Sequence, residues 1–166
     1  KQPNMANPAH LWALKGPLMK YGKWFVGRSL HRARYELPEM PKKLRQHAEF
    51  AADWLQGSAL EISGTMRKFQ LKLADRQCRM AELSGRVQTA VVILCTSLYA
   101  ARQKNGLITE AADTICQELR RRMTGGLPTD RYFKQVTSLG NAIADGHFPC
   151  LDETPQAELM MPYSTK

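Results

Sequence analysis

No Asp or Glu occurs between Leu11 and Arg34, although the 166-residue chain holds fifteen of them. The gap is filled by LWALKGPLMKYGKWFVGRSLHRAR, with six basic side chains and two of the three tryptophans. Residues 1–45 hold ten Lys/Arg and two acids, a net of +8; residues 46–166 hold fourteen and thirteen, a net of +1. A stretch this short of acids is drawn to an anionic surface, and its aromatics can hold it there by burial.

Other absences narrow the class. The most apolar run, Ala90–Ala101, is shorter than the about 20 apolar residues that cross a bilayer, so a soluble or surface-bound protein is expected. No charged start, apolar middle and small-residue cleavage site mark a signal peptide. The sequence opens on Lys1, as expected of a fragment, a processed product or a chain trimmed at its start. The four cysteines, Cys78, Cys95, Cys116 and Cys150, form no CxxC. Cys95 and Cys116 lie inside apolar helical patterns and read as small core residues, with reduced thiols and a reducing compartment. His147 and Cys150 make an HxxC pair beside Pro149, but without a second ligand pair no metal site is read there.

Catalytic motifs are missing too. There is no GxGxxG, P-loop, HExxH or GxSxG, and His10, His31, His47 and His147 are scattered. His47, beside Ala48 on an apolar stripe, reads as a hydrogen-bonded boundary histidine. Glu61, Glu82, Glu110 and Glu118 have no His or Cys partner at short spacing and read as solvated faces. No catalytic residue is assigned.

What is present is helical periodicity, with no alternating strand pattern. Leu44, Ala48, Ala51, Leu55, Ala59, Ile62, Met66 and Phe69 form one stripe of a helix over 41–70. Gly57 and Gly64 weaken it and suggest close approach by a neighbour. Met80, Leu83, Val87, Val91, Leu94, Leu98 and Ala101 form a second stripe over 75–104, with Asp75 as N-cap and Asn105-Gly106 as the stop. A short connection at 71–74 folds the two back on each other. A third helix over 109–123 is capped by Thr109, carries Ala112, Ile115, Cys116, Leu119 and Met123 on one side, and ends in Arg120-Arg121-Arg122, which suits the negative end of the helix dipole. A fourth spans 130–145, with Phe133, Val136, Leu139 and Ile143. The expected fold is all-α: an antiparallel four-helix bundle over 37–145, preceded by a basic amphipathic segment over 1–36 and followed by an extended tail over 146–166.

On a helical wheel, Leu18, Met19, Tyr21, Gly22, Phe25, Val26, Ser29, Leu30 and Ala33 share one broad arc, with Lys20, Lys23, His31 and Arg34 opposite. Gly16-Pro17 is expected to break this helix, leaving 8–15 as a separate piece. Each Lys or Arg near an anionic leaflet contributes about 1 kcal/mol, and each large apolar side chain fully buried roughly 1.5–3 kcal/mol. The same arc is equally suited to packing on the bundle or on another domain. A pI of 9.6 with interleaved aromatics also admits single-stranded nucleic acid, although no nucleic-acid-binding motif is present. A free-standing basic adaptor for protein or nucleic acid is the alternative on composition alone.

Ala13-Leu14-Lys15-Gly16-Pro17, running on to Gly27-Arg28-Ser29-Leu30-His31-Arg32, resembles the basic amphipathic segment near the C-terminus of very-long-chain acyl-CoA dehydrogenases. Leu37-Pro38-Glu39-Met40 is similar to the entry of that family's next long helix, Val91–Arg102 to the following one, and Asp113-Thr114-Ile115-Cys116 to part of the helix after it. The resemblance covers most of 12–145 as a pattern of helices and short matches. It implies a non-catalytic C-terminal region of an enzyme that uses FAD to introduce a double bond into a long-chain acyl-CoA in fatty acid β-oxidation. The catalytic glutamate and main flavin-binding residues would lie upstream, so this chain is assigned no cofactor. Implied partners are the catalytic domain of the same enzyme, an anionic membrane surface and a second copy in a homo-oligomer. The implied location is peripheral, on a bacterial cytoplasmic or mitochondrial inner membrane. The membrane-binding role passes to Trp12, Leu14, Lys15, Leu18, Lys20, Lys23, Trp24, Phe25, Arg28 and Arg32. The proline-containing tail 149–166 has no counterpart in that resemblance.

Overall fold

The computed structural model describes residues 8–31 and 33–148. Among them five α-helices follow one another: α1 Pro8–Leu30, α2 Lys42–Phe69, α3 Gln77–Gln103, α4 Gly106–Thr124 and α5 Asp130–Ala144. A 3₁₀ segment, Gln70–Arg76, joins α2 to α3, and no strand occurs among the described residues. The molecule is all-helical, as the periodicity predicts. Arg32 and the tail 149–166, with Cys150, lie outside the described residues.

Helices α2, α3 and α4 enclose the core. Leu44 meets Ala100, Ile108 and Ala112 in one buried cluster; Ala51, Ile93 and Cys116 form another, with Phe50, Leu94, Leu119 and Met123 packed around it. Position 44 of α2 thus pairs with 100 of α3, and 51 with 93, which makes these helices antiparallel. The core is lined mainly by small side chains. Ala48, Ala51, Ala90, Ala100, Ala112, Ser97 and Cys116 are all buried, and where only a methyl or hydroxymethyl intervenes, helix backbones approach closely and gain dispersion contact.

That choice of small residues overturns part of the periodicity reading. On α3 the buried set is Leu83, Ala90, Ile93, Ser97 and Ala100. From Val91 onward the most buried positions are displaced by one residue, roughly 100° around the helix, while Leu94 and Ala101 of the expected stripe are half-buried against the core. Val91 and Cys95 are consequently exposed, whereas Cys116 is buried as expected. Helix α5 is rotated likewise: Tyr132, Gln135, Leu139 and Ala142 are half-buried, while Phe133, Val136 and Ile143 are exposed. Ile115 of α4 is exposed as well. On α3 and α5 large apolar residues set most of the expected stripe, but helices that pack closely bury their small residues, as Ala48, Ala51 and Ala112 do where expected.

Helix ends depart from expectation for local reasons. The 3₁₀ segment absorbs Asp75, so α3 begins at Gln77 without a side-chain cap. Lys104, in the left-handed conformation at φ 50°, stops α3. Asn105 then caps α4 rather than ending α3: its Oδ1 accepts from the backbone N–H groups of Leu107 and Ile108. Thr109 lies inside α4 and donates its hydroxyl to the Asn105 carbonyl. Gly125 ends α4 at φ 74°, a left-handed position that glycine takes without steric cost. Thr129 caps α5 through the Tyr132 N–H.

Helix α1 runs unbroken through Gly16-Pro17, against the expected separate piece at 8–15. Pro17 contributes no N–H, so the residue 13 carbonyl lacks its helical partner, yet the helix continues on both sides. Gly57 and Gly64 do not mark a close approach either, since a Cβ built at either would meet nothing. Residues 72–103 are, by length and composition, apolar enough to cross a membrane. In this fold α3 instead packs its core face on α2 and α4, and carries Glu82 and Arg86 in an ion pair.

Candidate functional site

Among its described side chains, α1 buries none; Leu14, Gly22 and Phe25 are half-buried and the others exposed. Among the described residues, a hydrogen bond and a cation–ring contact tie it to α2. The Tyr21 hydroxyl hydrogen-bonds Ser63 Oγ at 2.6 Å, and the Arg67 guanidinium lies 4.7 Å from the centre of the Phe25 ring. Tyr21 also packs its ring against Trp24 and Phe25. One edge of the broad apolar arc, at Tyr21 and Phe25, is therefore turned to the body.

The other edge is free of the body. Trp12 is 70% exposed, Met19 66%, Val26 53% and Leu30 72%. Their spacing of 7, 7 and 4 residues places them in one outward stripe at 100° per residue. Lys15 and Lys23 border that stripe, and the Lys15 ammonium lies 4.2 Å from the centre of the Trp12 ring. Leu18, 57% exposed, sits between the stripe and the body-facing edge. Long basic stems beside outward apolar groups match a surface that is apolar inside and anionic outside.

The residues expected to bind a membrane therefore divide. Trp12, Lys15, Leu18, Lys20, Lys23, Trp24 and Arg28 are exposed on α1. Leu14 and Phe25 are half-buried, with Phe25 engaged by Arg67. Arg32 lies outside the described residues. The wheel alone does not separate Met19, Val26 and Leu30 from the body-facing residues of the same arc, because that separation depends on where α2 lies.

A second cluster, inside the body, was not legible as a unit in the sequence. The Asp113 side chain is only 5% exposed. His47 Nε2 donates to Asp113 Oδ1 at 2.8 Å, Gln135 Nε2 donates to Oδ2 at 2.9 Å, and Lys43 Nζ lies 3.5 Å from Oδ2. Arg120 Nη1 donates to His47 Nδ1 at 3.1 Å and stacks its guanidinium 4.4 Å from the Phe50 ring centre. A guanidinium has no acceptor, so Nδ1 must accept and the neutral imidazole carries its proton on Nε2, facing Asp113. Burial pushes the Asp113 carboxyl up, but hydrogen bonds from His47, Gln135 and Gln117 outweigh it and hold the group well below the usual carboxylate range. Burial raises the Cys116 thiol, with Ser97 opposing, which leaves it protonated and inert at neutral pH.

These side chains come from α2, α4 and α5, so the cluster clamps three helices. The hydrogen-bonded reading of His47 holds, at a site more buried than a boundary. Glu118 is less solvated than expected: it takes ion pairs from Arg121 and Arg122 and accepts from the Tyr132 hydroxyl at 3.3 Å, tying α5 to α4. Each arginine of the triplet thus has an internal partner, although the Arg122 side chain stays largely exposed. Among the described residues no group of three or more His, Cys, Asp or Glu is placed to hold a metal. Every member of the polar cluster has a structural partner, which leaves the outward stripe of α1 as the candidate site.

No family model matches the chain, and no curated protein or solved structure matches it.

Proposed function

We propose that this chain is the non-catalytic, all-helical C-terminal region of a membrane-associated, FAD-dependent acyl-CoA dehydrogenase of fatty acid β-oxidation, and that it docks the enzyme on an anionic membrane. The observation that carries the docking role is the outward stripe Trp12, Met19, Val26 and Leu30, bordered by lysines in a stretch without acids. The dehydrogenase assignment rests on the residue resemblance at 13–17, 27–32, 37–40, 91–102 and 113–116. In this reading α2 to α5 form the family's antiparallel four-helix bundle. The exposed Val91, Val92 and Tyr99 of α3 face the catalytic domain or a second copy of the chain. The flavin and its chemistry belong to that catalytic domain, and no residue here is assigned to either. The setting is peripheral, on a membrane facing a reducing compartment.

Co-sedimentation with phosphatidylcholine vesicles, with and without phosphatidylserine, tests the docking role. The chain is expected to bind the anionic vesicles and to release as salt rises. A Trp12→Ala, Lys20→Ala, Lys23→Ala variant should bind about tenfold or more weakly, since it loses two cations and an apolar anchor. Equal binding by wild type and variant removes α1 as the anchor. Tighter binding to single-stranded nucleic acid than to vesicles favours a basic adaptor instead. The purified chain should neither retain flavin nor oxidise acyl-CoA.

A further inference from the structure

The turn between α2 and α3 carries a second basic cluster that net charge over the long helical region conceals. Residues 67–79 hold Arg67, Lys68, Lys72, Arg76 and Arg79 against one acid, Asp75. All five cations are exposed, and none pairs with a carboxylate among the described residues. Local helix electrostatics explains only part of this. Arg67 and Lys68 close α2, where cations favour the helix dipole. Arg76 and Arg79, by contrast, sit at the N-terminus of α3, which has no acid in its first turn. Cations are disfavoured there, so their placement opposes the stability of α3.

Apolar groups lie among these charges. Met66 is 51% exposed, and Lys68 and Arg76 lie 5.6 and 5.4 Å from the centre of the half-buried Phe69 ring. The cluster is also continuous with α1, because Arg67 at its start covers Phe25. We propose that the turn at 66–79 is a second contact with the same anionic phospholipid bilayer, so that the chain docks at two joined points. This rests on the reading of α1 as a membrane-docking helix. The turn then fixes how the body sits on the membrane, whereas α1 alone, held by so few contacts, leaves it free to swivel. Engaging one contact raises the effective concentration of the other, so the two together bind more tightly than either.

The test uses the whole chain and the same two vesicle compositions. One variant, Lys68→Ala, Lys72→Ala, Arg76→Ala, leaves α1 intact; another, Met19→Ser, Val26→Ser, leaves the turn intact. Circular dichroism melting shows that each is folded. All three substitutions of the turn variant are exposed, and removing Arg76 from the start of α3 offsets the loss of Lys68 from the end of α2, so its melting should change little. The turn variant is expected to bind phosphatidylserine vesicles about tenfold or more weakly than wild type, with a shallower dependence on salt. If it binds like wild type while the α1 variant is impaired, the second contact is overturned and the α1 reading stands. If it is impaired while the α1 variant binds like wild type, α1 is not the anchor and the turn alone contacts the bilayer. If wild type binds neither vesicle, or prefers single-stranded nucleic acid, both assignments fail.

Discussion

Helices α1 and α4 both mix apolar and basic side chains, yet end in different situations. Helix α4 buries Ile108, Ala112, Asp113 and Cys116 and reaches α2, α3 and α5 through packed and hydrogen-bonded partners. Helix α1 has more large apolar residues, yet among the described residues its hydrogen-bond and cation–ring contacts with α2 are one tyrosine hydroxyl and one cation over a ring. The difference is orientation. In α4 Ile108, Ala112 and Cys116 point inward together, whereas in α1 the stripe at Trp12, Met19, Val26 and Leu30 points away from the body. A helix with that much outward apolar surface has a second surface to meet.

The largest expected effect is on the body. Asp113→Ala leaves His47 Nε2 and Gln135 Nε2 without their acceptor in a buried setting. Leaving a buried donor unsatisfied costs about 1–3 kcal/mol, so losing the acceptor of two should cost about 2–5 kcal/mol, read by urea denaturation, with α4 and α5 losing hydrogen-exchange protection together. The pH dependence follows from the depressed Asp113 pKa. A carboxyl held lower in the folded than in the unfolded chain contributes stability that is complete above its unfolded value, near about 3.9. That contribution is lost as pH falls below it. Asp113→Asn should therefore lower stability at neutral pH and flatten its decline below about pH 4. If Asp113→Ala costs less than about 1 kcal/mol, the clamp does not hold α4.

Close packing between α2, α3 and α4 supplies the next test. Ala51 is fully buried beside Ile93 and Cys116. Ala51→Leu should cost about 1–3 kcal/mol by overpacking, whereas Val91→Leu on the outer face of α3 should cost less than about 0.5 kcal/mol. Reversal of that order would mean that α3 is rotated so that Val91 faces the core.

This rotation marks how far the sequence reading reached. The existence and approximate bounds of α2 to α5 followed from apolar periodicity, because the repeat extends over four to eight turns. The most buried face of α3 did not, since Ala90, Ser97 and Ala100 are weaker hydrophobic signals than Val91, Leu94 and Leu98. The His47–Asp113 contact joins residues 66 positions apart and has no local signature. The basic turn was hidden by averaging: residues 46–66 hold three acids and no Lys or Arg, which offsets most of the net +4 at 67–79. A sliding count of charge would have found it. For α1, composition pointed to a surface-seeking helix, but which edge of its arc stays outward depends on α2.

Two glycines give smaller effects of opposite sign. Gly125 holds a left-handed φ of 74°, so Gly125→Ala should cost about 1 kcal/mol. Gly57 is helical with open space where a Cβ would stand, so Gly57→Ala should stabilise by about 0.5–1 kcal/mol. Thermal melts of the two variants should bracket the parent.

The smallest expected effect bears most directly on the contrast between α1 and α4. Tyr21→Phe deletes the hydroxyl that bonds Ser63 and leaves the ring contacts with Trp24 and Phe25 in place. That hydrogen bond is exposed, where water replaces a lost partner readily, so global unfolding should move by less than about 0.5 kcal/mol. Local behaviour should change more: α1 amides should exchange faster, and limited proteolysis should cut in the 33–40 connection sooner while the rest of the body stays intact. A loss of more than about 1 kcal/mol in global unfolding would place α1 in the same cooperative unit as α4. Its outward stripe would then belong to a fixed face of the body, and docking would present α1 and the body as one rigid surface.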